Sequence, residues 1–120
     1  MKASVAFDSG ATSDGYGPTY LDLVGIRAPQ MASGTAYLLI ETTEDDESVA
    51  DADATWDTVY DQDGSRVVLA VSDSGARRVT FEPNGALLLR RWRFRAVNSS
   101  YSDVSQGTQE ITMFLRAFGA

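Results

Sequence analysis

The chain has 120 residues and neither cysteine nor histidine, and 17 acidic and 10 basic residues give it a net charge of −7. This length suits one domain with its own core, and the absence of cysteine excludes disulfides and thiolate chemistry. Without histidine, the commonest general base and metal ligand is missing, so we expect neither an enzyme nor a cofactor. The negative charge argues against nucleic-acid partners, and no apolar run approaches the ~20 residues of a membrane span.

The first 20 residues are rich in Gly, Ser, Ala and Thr. A short strand is predicted at residues 3–7, followed by a Gly-rich stretch through Gly17. Since such a segment cannot build its own core, we expect a flexible N-terminal arm at residues 1–20 and a β-sandwich domain at residues 21–120. The arm is either a frayed terminus or a segment that becomes ordered on a neighbouring subunit. In the second case its partner-binding side chains would be Val5, Phe7, Tyr16 and Tyr20.

Apolar runs, several with period-two alternation, predict further strands after residue 20. They cover residues 21–26, 36–42, 67–71, 78–81, 87–96 and 111–118. Turn signals between them are Asp63-Gly64, Ser74-Gly75 and Pro83-Asn84-Gly85, because Asn-Gly and Asp-Gly tolerate the positive φ of tight turns. About eight short strands with this punctuation predict an all-β, single-domain antiparallel β-sandwich or jelly roll.

The acidic segment between two of these strands is ambiguous. In residues 46–60 the apolar side chains recur at helical spacing, yet residues 55–60 are rich in β-prone types. We favour a long acidic loop that runs into a strand at Trp56.

The segment Asp61-Gln62-Asp63-Gly64-Ser65 begins like a calcium-binding EF-hand loop. It lacks the third early ligand and the bidentate Glu at the end of the loop, where Ser72 stands. We therefore favour a hairpin turn and expect no metal site.

The most distinctive chemical pattern is Leu89-Arg90-Arg91-Trp92-Arg93-Phe94-Arg95. In a strand, Trp92 and Phe94 share one face with Arg90, and the other face carries Arg91, Arg93 and Arg95. In one interpretation the aromatics enter the core and the arginines pair with Asp or Glu on adjacent strands. In a second, the arginines bind carboxylates of another subunit. In a third they bind nucleic acid, which the net charge opposes.

Four segments resemble small β-sandwich proteins encoded among the virion genes of tailed bacteriophages. They are AYLLIETTEDDE, ATWDTVYDQDGS, RRWRFRAVNSSYS and QEITMFLRAF, and they lie in about the last two-thirds of the chain. Similar strands beside a Ser/Thr-rich loop occur in discoidin-like carbohydrate-binding sandwiches. The chain departs from the phage pattern at Asp45-Asp46, where Asp-Gly is expected, and in an acidic insertion before Trp56. A ligand role of this loop in the phage proteins is therefore not assigned to the corresponding loop of this chain.

The resemblance implies a jelly roll with a place on the phage particle and no catalytic residues. Together with the Gly-rich arm and the segregated charge, it leads us to expect a capsid decoration (cement) protein. It would be made in the host cytoplasm and lie on the outer surface of the virion, bridging subunits of the major capsid protein as a homotrimer, without binding nucleic acid or membrane. Its contacts would be the arm together with Arg91, Arg93 and Arg95. One alternative is a carbohydrate- or receptor-binding module that uses Tyr101 as a stacking residue. Another is a tail or neck component with the same fold.

Overall fold

Eight strands form two antiparallel sheets in the computed structural model, which describes residues 1–81 and 90–117. Sheet A has the order β1-β8-β2-β6, with β1 (Lys2–Asp8), β8 (Thr108–Ala117), β2 (Leu21–Ala28) and β6 (Arg77–Thr80). In sheet B the central strand is β3 (Tyr37–Thr42), with β7 (Trp92–Val97) along one edge and β4 (Asp57–Thr58) and β5 (Val68–Ala70) along the other. The predicted all-β sandwich is confirmed. None of the described residues forms a helix long and apolar enough to cross a membrane.

The chain alternates between the two sheets in the manner of a jelly roll. After β1, residues 11–16 run antiparallel along the outer edge of β7, with isolated bridges from Thr12 to Arg95 and from Tyr16 to Trp92. When this irregular edge segment is counted, β1-β8-β2-β6 faces a second sheet made of residues 11–16, β7, β3 and the β4 and β5 pair. The sandwich thus has four strand positions in each layer.

Residues 1–20 belong to this sandwich and do not form the expected flexible arm. β1 pairs with β8 over its whole length. Farther along, the Ser13 amide donates to the Phe94 carbonyl at 2.9 Å, and Tyr16 and Trp92 exchange two backbone hydrogen bonds of 2.7 and 3.0 Å. Small residues suit this position because the segment pairs through its backbone.

The hydrophobic core lies between the two sheets. Its largest fully buried side chains are Trp92, Phe7, Phe94, Leu23, Ile26, Leu38, Ile40, Leu69, Ile111 and Met113. Trp92 and Phe94 point inward, as the alternation in β7 predicted. Burying one such side chain stabilises the fold by about 1.5–3 kcal/mol, so the core contribution of β1 is substantial.

Most of the predicted strands lie close to their observed positions. The acidic segment at residues 46–60 is a loop with turns that ends in the two-residue strand β4, as favoured. The Asp63-Gly64 turn is present, with Gly64 at a φ of 84°. The predicted turn at Pro83-Asn84-Gly85 and the first part of the strand predicted at residues 87–96 lie outside the described residues.

Candidate functional site

The alternating arginines Arg91, Arg93 and Arg95, here called the arginine row, pair with carboxylates of the same chain. In the register of β3 and β7, Arg93 is directly opposite Glu41 and shares its face. Glu41 is only 3% exposed; its Oε1 accepts a hydrogen bond from Arg93 Nε at 2.7 Å, and its Oε2 accepts one from Arg95 Nη1 at 2.8 Å. Arg95 Nη2 also donates to Asp103 at 3.3 Å. Both oxygens of the buried carboxylate therefore have charged donors, which offsets its desolvation.

Arg91 joins the acidic loop to the rest of the sandwich. Its buried guanidinium donates to Asp51 Oδ1 at 2.8 Å and to the carbonyl oxygens of Val49 at 2.8 Å and Asp46 at 3.1 Å. Asp51 Oδ2 in turn accepts the Gly15 amide at 2.7 Å. Burial opposes ionisation of Asp51, but the Gly15 amide and the Arg91 guanidinium outweigh it and hold the pKa of Asp51 below its ordinary value.

Trp56 lies half-buried against the arginine row, outside the hydrophobic core. The guanidinium carbons of Arg93 and Arg91 are 4.5 and 5.4 Å from its ring centroid, within the range of a cation–π interaction. Its Nε1 donates to the Asp51 carbonyl at 2.9 Å. Trp56 therefore covers part of Arg91 and Arg93, whereas Arg95 is 36% exposed.

The geometry corresponds to the first interpretation of the arginine row, pairing with carboxylates of adjacent strands and loops. A contact with another subunit would have to compete with these pairs, and breaking a buried ion pair is costly. Glu41 is not among the site residues predicted from the sequence, although a signal is present. Glu41 is the charged residue that ends the apolar run of β3, on the same face as Tyr37 and Leu39.

The partner-binding residues expected in the arm lie in different environments. Val5 and Phe7 are buried in the core, which corrects their assignment as partner contacts because a partner cannot reach them in the folded chain. Tyr16 is half-buried and packs on Trp92, with the ring centroids 5.2 Å apart. Tyr20 is 84% exposed and remains available for binding.

Tyr101 belongs to a cluster of side chains on the outward side of sheet B, of which Tyr37 is half-buried and the others are exposed. Its ring stacks on Tyr37 with centroids 5.7 Å apart, and the Arg66 guanidinium lies 4.5 Å from its centroid. Tyr60 pairs with Arg66 across a hairpin and lies on the same face of the sheet. Val68 lies on this face as well, because it follows Arg66 by two residues along the strand. Tyr60, Tyr101 and Val68 are 53%, 41% and 36% exposed. We call Tyr37, Tyr60, Arg66, Val68 and Tyr101 the tyrosine patch.

A tight turn holds Tyr101 in the patch. The Asn98 side-chain oxygen accepts the Ser100 and Ser102 amides at 2.9 and 3.0 Å, and the Tyr101 amide donates to the Asn98 carbonyl at 3.0 Å. Tyr101 has a φ of 63°, which is unfavourable for a bulky side chain. Such strained positions cluster at functional sites.

The segment considered as a calcium loop is a turn stabilised by its first aspartate. Asp61 Oδ1 accepts the Asp63 amide at 2.9 Å and the Ser65 amide at 3.0 Å, which closes the hairpin that carries Tyr60 and Arg66. Within residues 1–81 and 90–117, no group of three His, Cys, Asp or Glu side chains could hold a metal ion.

A cleft of about 500 Å³ lies beside the acidic loop. Its lining includes Pro18, Thr42, Thr43, Glu44, Asp45, Asp46, Glu47, Arg90 and Arg91. The Ser48 amide lowers the pKa of Asp46, so this carboxylate stays ionised at neutral pH. Because Arg91 is already bound to Asp51, the cleft has an excess of negative charge.

No family model, no curated protein and no solved structure matches the chain.

Proposed function

We propose that the chain is a structural protein of a tailed-phage particle, a capsid decoration protein on the outer surface of the head. In this role it binds the major capsid protein, bridges neighbouring subunits and acts as a homotrimer. The four segments that resemble phage virion sandwiches support the phage assignment. The tyrosine patch is the observation that supports attachment through a protein surface.

The composition of the tyrosine patch suits a protein-binding surface. Tyrosine and arginine are enriched where a few residues provide most of the binding energy of an interface. Tyrosine gives a large contact area with few rotatable bonds, so little conformational entropy is lost on binding. The stacking of Tyr37 on Tyr101 and the turn at Asn98 fix part of the surface before a partner arrives.

Co-sedimentation with capsids stripped of the protein tests this proposal. We expect wild-type protein to pellet with heads, and Tyr101→Ala and Tyr60→Ala to weaken binding by about tenfold or more, as for residues at the centre of an interface. Tyr20→Ala is the matched control, because it removes an exposed tyrosine outside the patch. Equal binding by all variants contradicts attachment through the patch, and a wild-type protein that stays in the supernatant contradicts the capsid role. Loss of binding in Tyr20→Ala alone would assign the capsid contact to residues 17–20 and not to the tyrosine patch.

A carbohydrate-binding module is the second candidate, because Tyr101 is exposed and stands between the exposed residues Ser100 and Ser102. Aromatic rings stack on sugar faces, and hydroxyls beside them bond sugar oxygens. A glycan array probed with wild-type protein and Tyr101→Ala tests this role. Signals lost in the variant support it, and an array without signals contradicts it. Binding to purified tails and not to heads would instead support a tail or neck component.

A further inference from the structure

Two arginines stand opposite each other on the outward face of sheet A. Arg27 on β2 is the register partner of Arg78 on β6, and both are exposed. Like charges directly opposite in a sheet destabilise it. Neither forms an ion pair with a carboxylate from residues 1–81 or 90–117. An external group of negative charge would relieve this repulsion.

The surroundings hold part of this pair in place. The Arg78 guanidinium carbon lies 4.6 Å from the ring centroid of Phe114 on β8, although β2 runs between the two strands. Gly25, the register partner of Phe114 on β2, has no side chain to block this contact. Lys2 is opposite Phe114 on the other side. We call Lys2, Arg27, Arg78 and Phe114 the basic face.

The carboxylates on this side of sheet A lie at its ends. Asp22 is next to Arg116, with 3.8 Å between Oδ2 and Nε. Glu110 on β8 and Asp8, which is opposite Thr108, are near the other end of the β1 and β8 pair. The middle of the sheet therefore presents positive charge and one aromatic ring, on a chain whose net charge is −7.

The complementary charge follows a strand of the other sheet. Glu44, Asp45, Asp46 and Glu47, here called the acidic turn, come directly after β3 in sheet B, and Arg91 holds the adjoining loop against that sheet. The basic face points outward from sheet A. Among the described residues, no ion pair joins the acidic turn to the basic face.

We propose that the basic face of one copy binds the acidic turn of a second copy, head to tail. The two surfaces have charge of opposite sign, and within residues 1–81 and 90–117 neither forms an ion pair. Complementary potentials steer such encounters. Because two different surfaces meet, the contact is heterologous and generates a closed ring or an open chain rather than a two-fold dimer. The proposal rests on the homotrimer of the proposed function and names its contact. It is tested without capsids, so a monomeric protein contradicts the contact and the homotrimer, whereas attachment to the head is decided separately by co-sedimentation.

The test is sedimentation velocity of the whole protein over a concentration series, at about 0.05 M and about 0.5 M salt. We expect wild-type protein to self-associate at low salt and to dissociate at high salt, since a shorter Debye length screens the contact. The double variants Arg27→Gln/Arg78→Gln and Glu44→Gln/Glu47→Gln should each raise the dissociation constant by about tenfold or more. Arg77→Gln is the control, because it removes an exposed arginine next to Arg78 whose side chain is on the other face of β6.

Mixing the two double variants gives the sharpest result. Each retains one functional surface, so together they should form one-to-one heterodimers that grow no further, although each alone stays monomeric. A wild-type protein that is monomeric at low salt overturns the proposal. So does association that neither double variant weakens. Retention of a short DNA duplex by a monomeric wild-type protein, lost in Arg27→Gln/Arg78→Gln, would assign the basic face to phosphates and also overturn it.

Discussion

Replacing Glu41 with alanine tests the central ion-pair network of sheet B. In the variant, Arg93, whose side chain is 15% exposed, loses its carboxylate, whereas Arg95 is 36% exposed and keeps Asp103. Removing one partner of a buried ion pair costs about 3–5 kcal/mol, and partial hydration of both arginines lowers this to about 2–4 kcal/mol. For a domain of this size, the melting temperature should fall by about 10 °C.

Urea unfolding followed by tryptophan fluorescence measures this loss. Glu44→Ala is the matched control, because it removes an exposed carboxylate close to the same strand and should change the free energy of unfolding by less than about 0.5 kcal/mol. A double-mutant cycle with Arg93→Ala should show that the two substitutions together cost less than the sum of the single losses. The reasoning is refuted if Glu41→Ala behaves like Glu44→Ala, or if the cycle shows no coupling.

Three further substitutions test other parts of the structure. Phe7→Ala should lower the free energy of unfolding in urea by about 3–5 kcal/mol, because Phe7 is fully buried. Tyr20→Ala should lower it by less than about 0.5 kcal/mol. Equally small losses in both variants would support a flexible arm at residues 1–20. Because the folded-state pKa of Asp51 is held below its ordinary value of 3.8, its ionised form adds stability above the unfolded-state pKa, and this stability is lost as the pH falls through the folded-state pKa. Asp51→Asn should therefore lower the free energy of unfolding near pH 6. It should also make the free energies of unfolding at about pH 6 and about pH 3 more similar than in the wild-type protein. An unchanged dependence of stability on pH would contradict the role of this carboxylate. Gly17→Ala should destabilise the fold by about 1–3 kcal/mol or more, measured by thermal unfolding. Gly17 has a φ of 116°, and a Cβ at this position would collide with the Arg90 carbonyl. A variant with the melting temperature of the wild-type protein would argue against this close approach.

The strands with an apolar inner face could be predicted from the sequence, because a half-buried strand alternates its side chains with period two. β7 is the clearest example, with Trp92 and Phe94 inside and Arg93 and Arg95 outside. Residues 11–16 carry no such signal. They join sheet B at its edge through backbone hydrogen bonds, so their small side chains resemble those of a flexible segment.

The candidate surfaces depend on strand register, which the sequence does not encode locally. The alternation placed Arg91, Arg93 and Arg95 on one face, but the pairing of Arg93 with Glu41 needs the alignment of β3 and β7. The opposition of Arg27 and Arg78 likewise arises only from the alignment of β2 and β6. Tyr101 could be selected as an exposed aromatic in a polar loop, whereas its stacking on Tyr37 follows from the turn at Asn98.

The pairing of β1 with β8 has a consequence for how the chain folds during synthesis. β1 leaves the ribosome before the other described strands, yet its hydrogen-bonding partner is residues 108–117, which emerge after all the other described residues. Contacts between such distant segments carry a large loop-closure entropy, and β-sandwiches rich in them fold in about milliseconds to seconds. The apolar side of β1, with Val5 and Phe7, thus stays exposed until β8 appears. Until β8 is synthesised, the edge of β1 and its apolar face have no partner from this pairing.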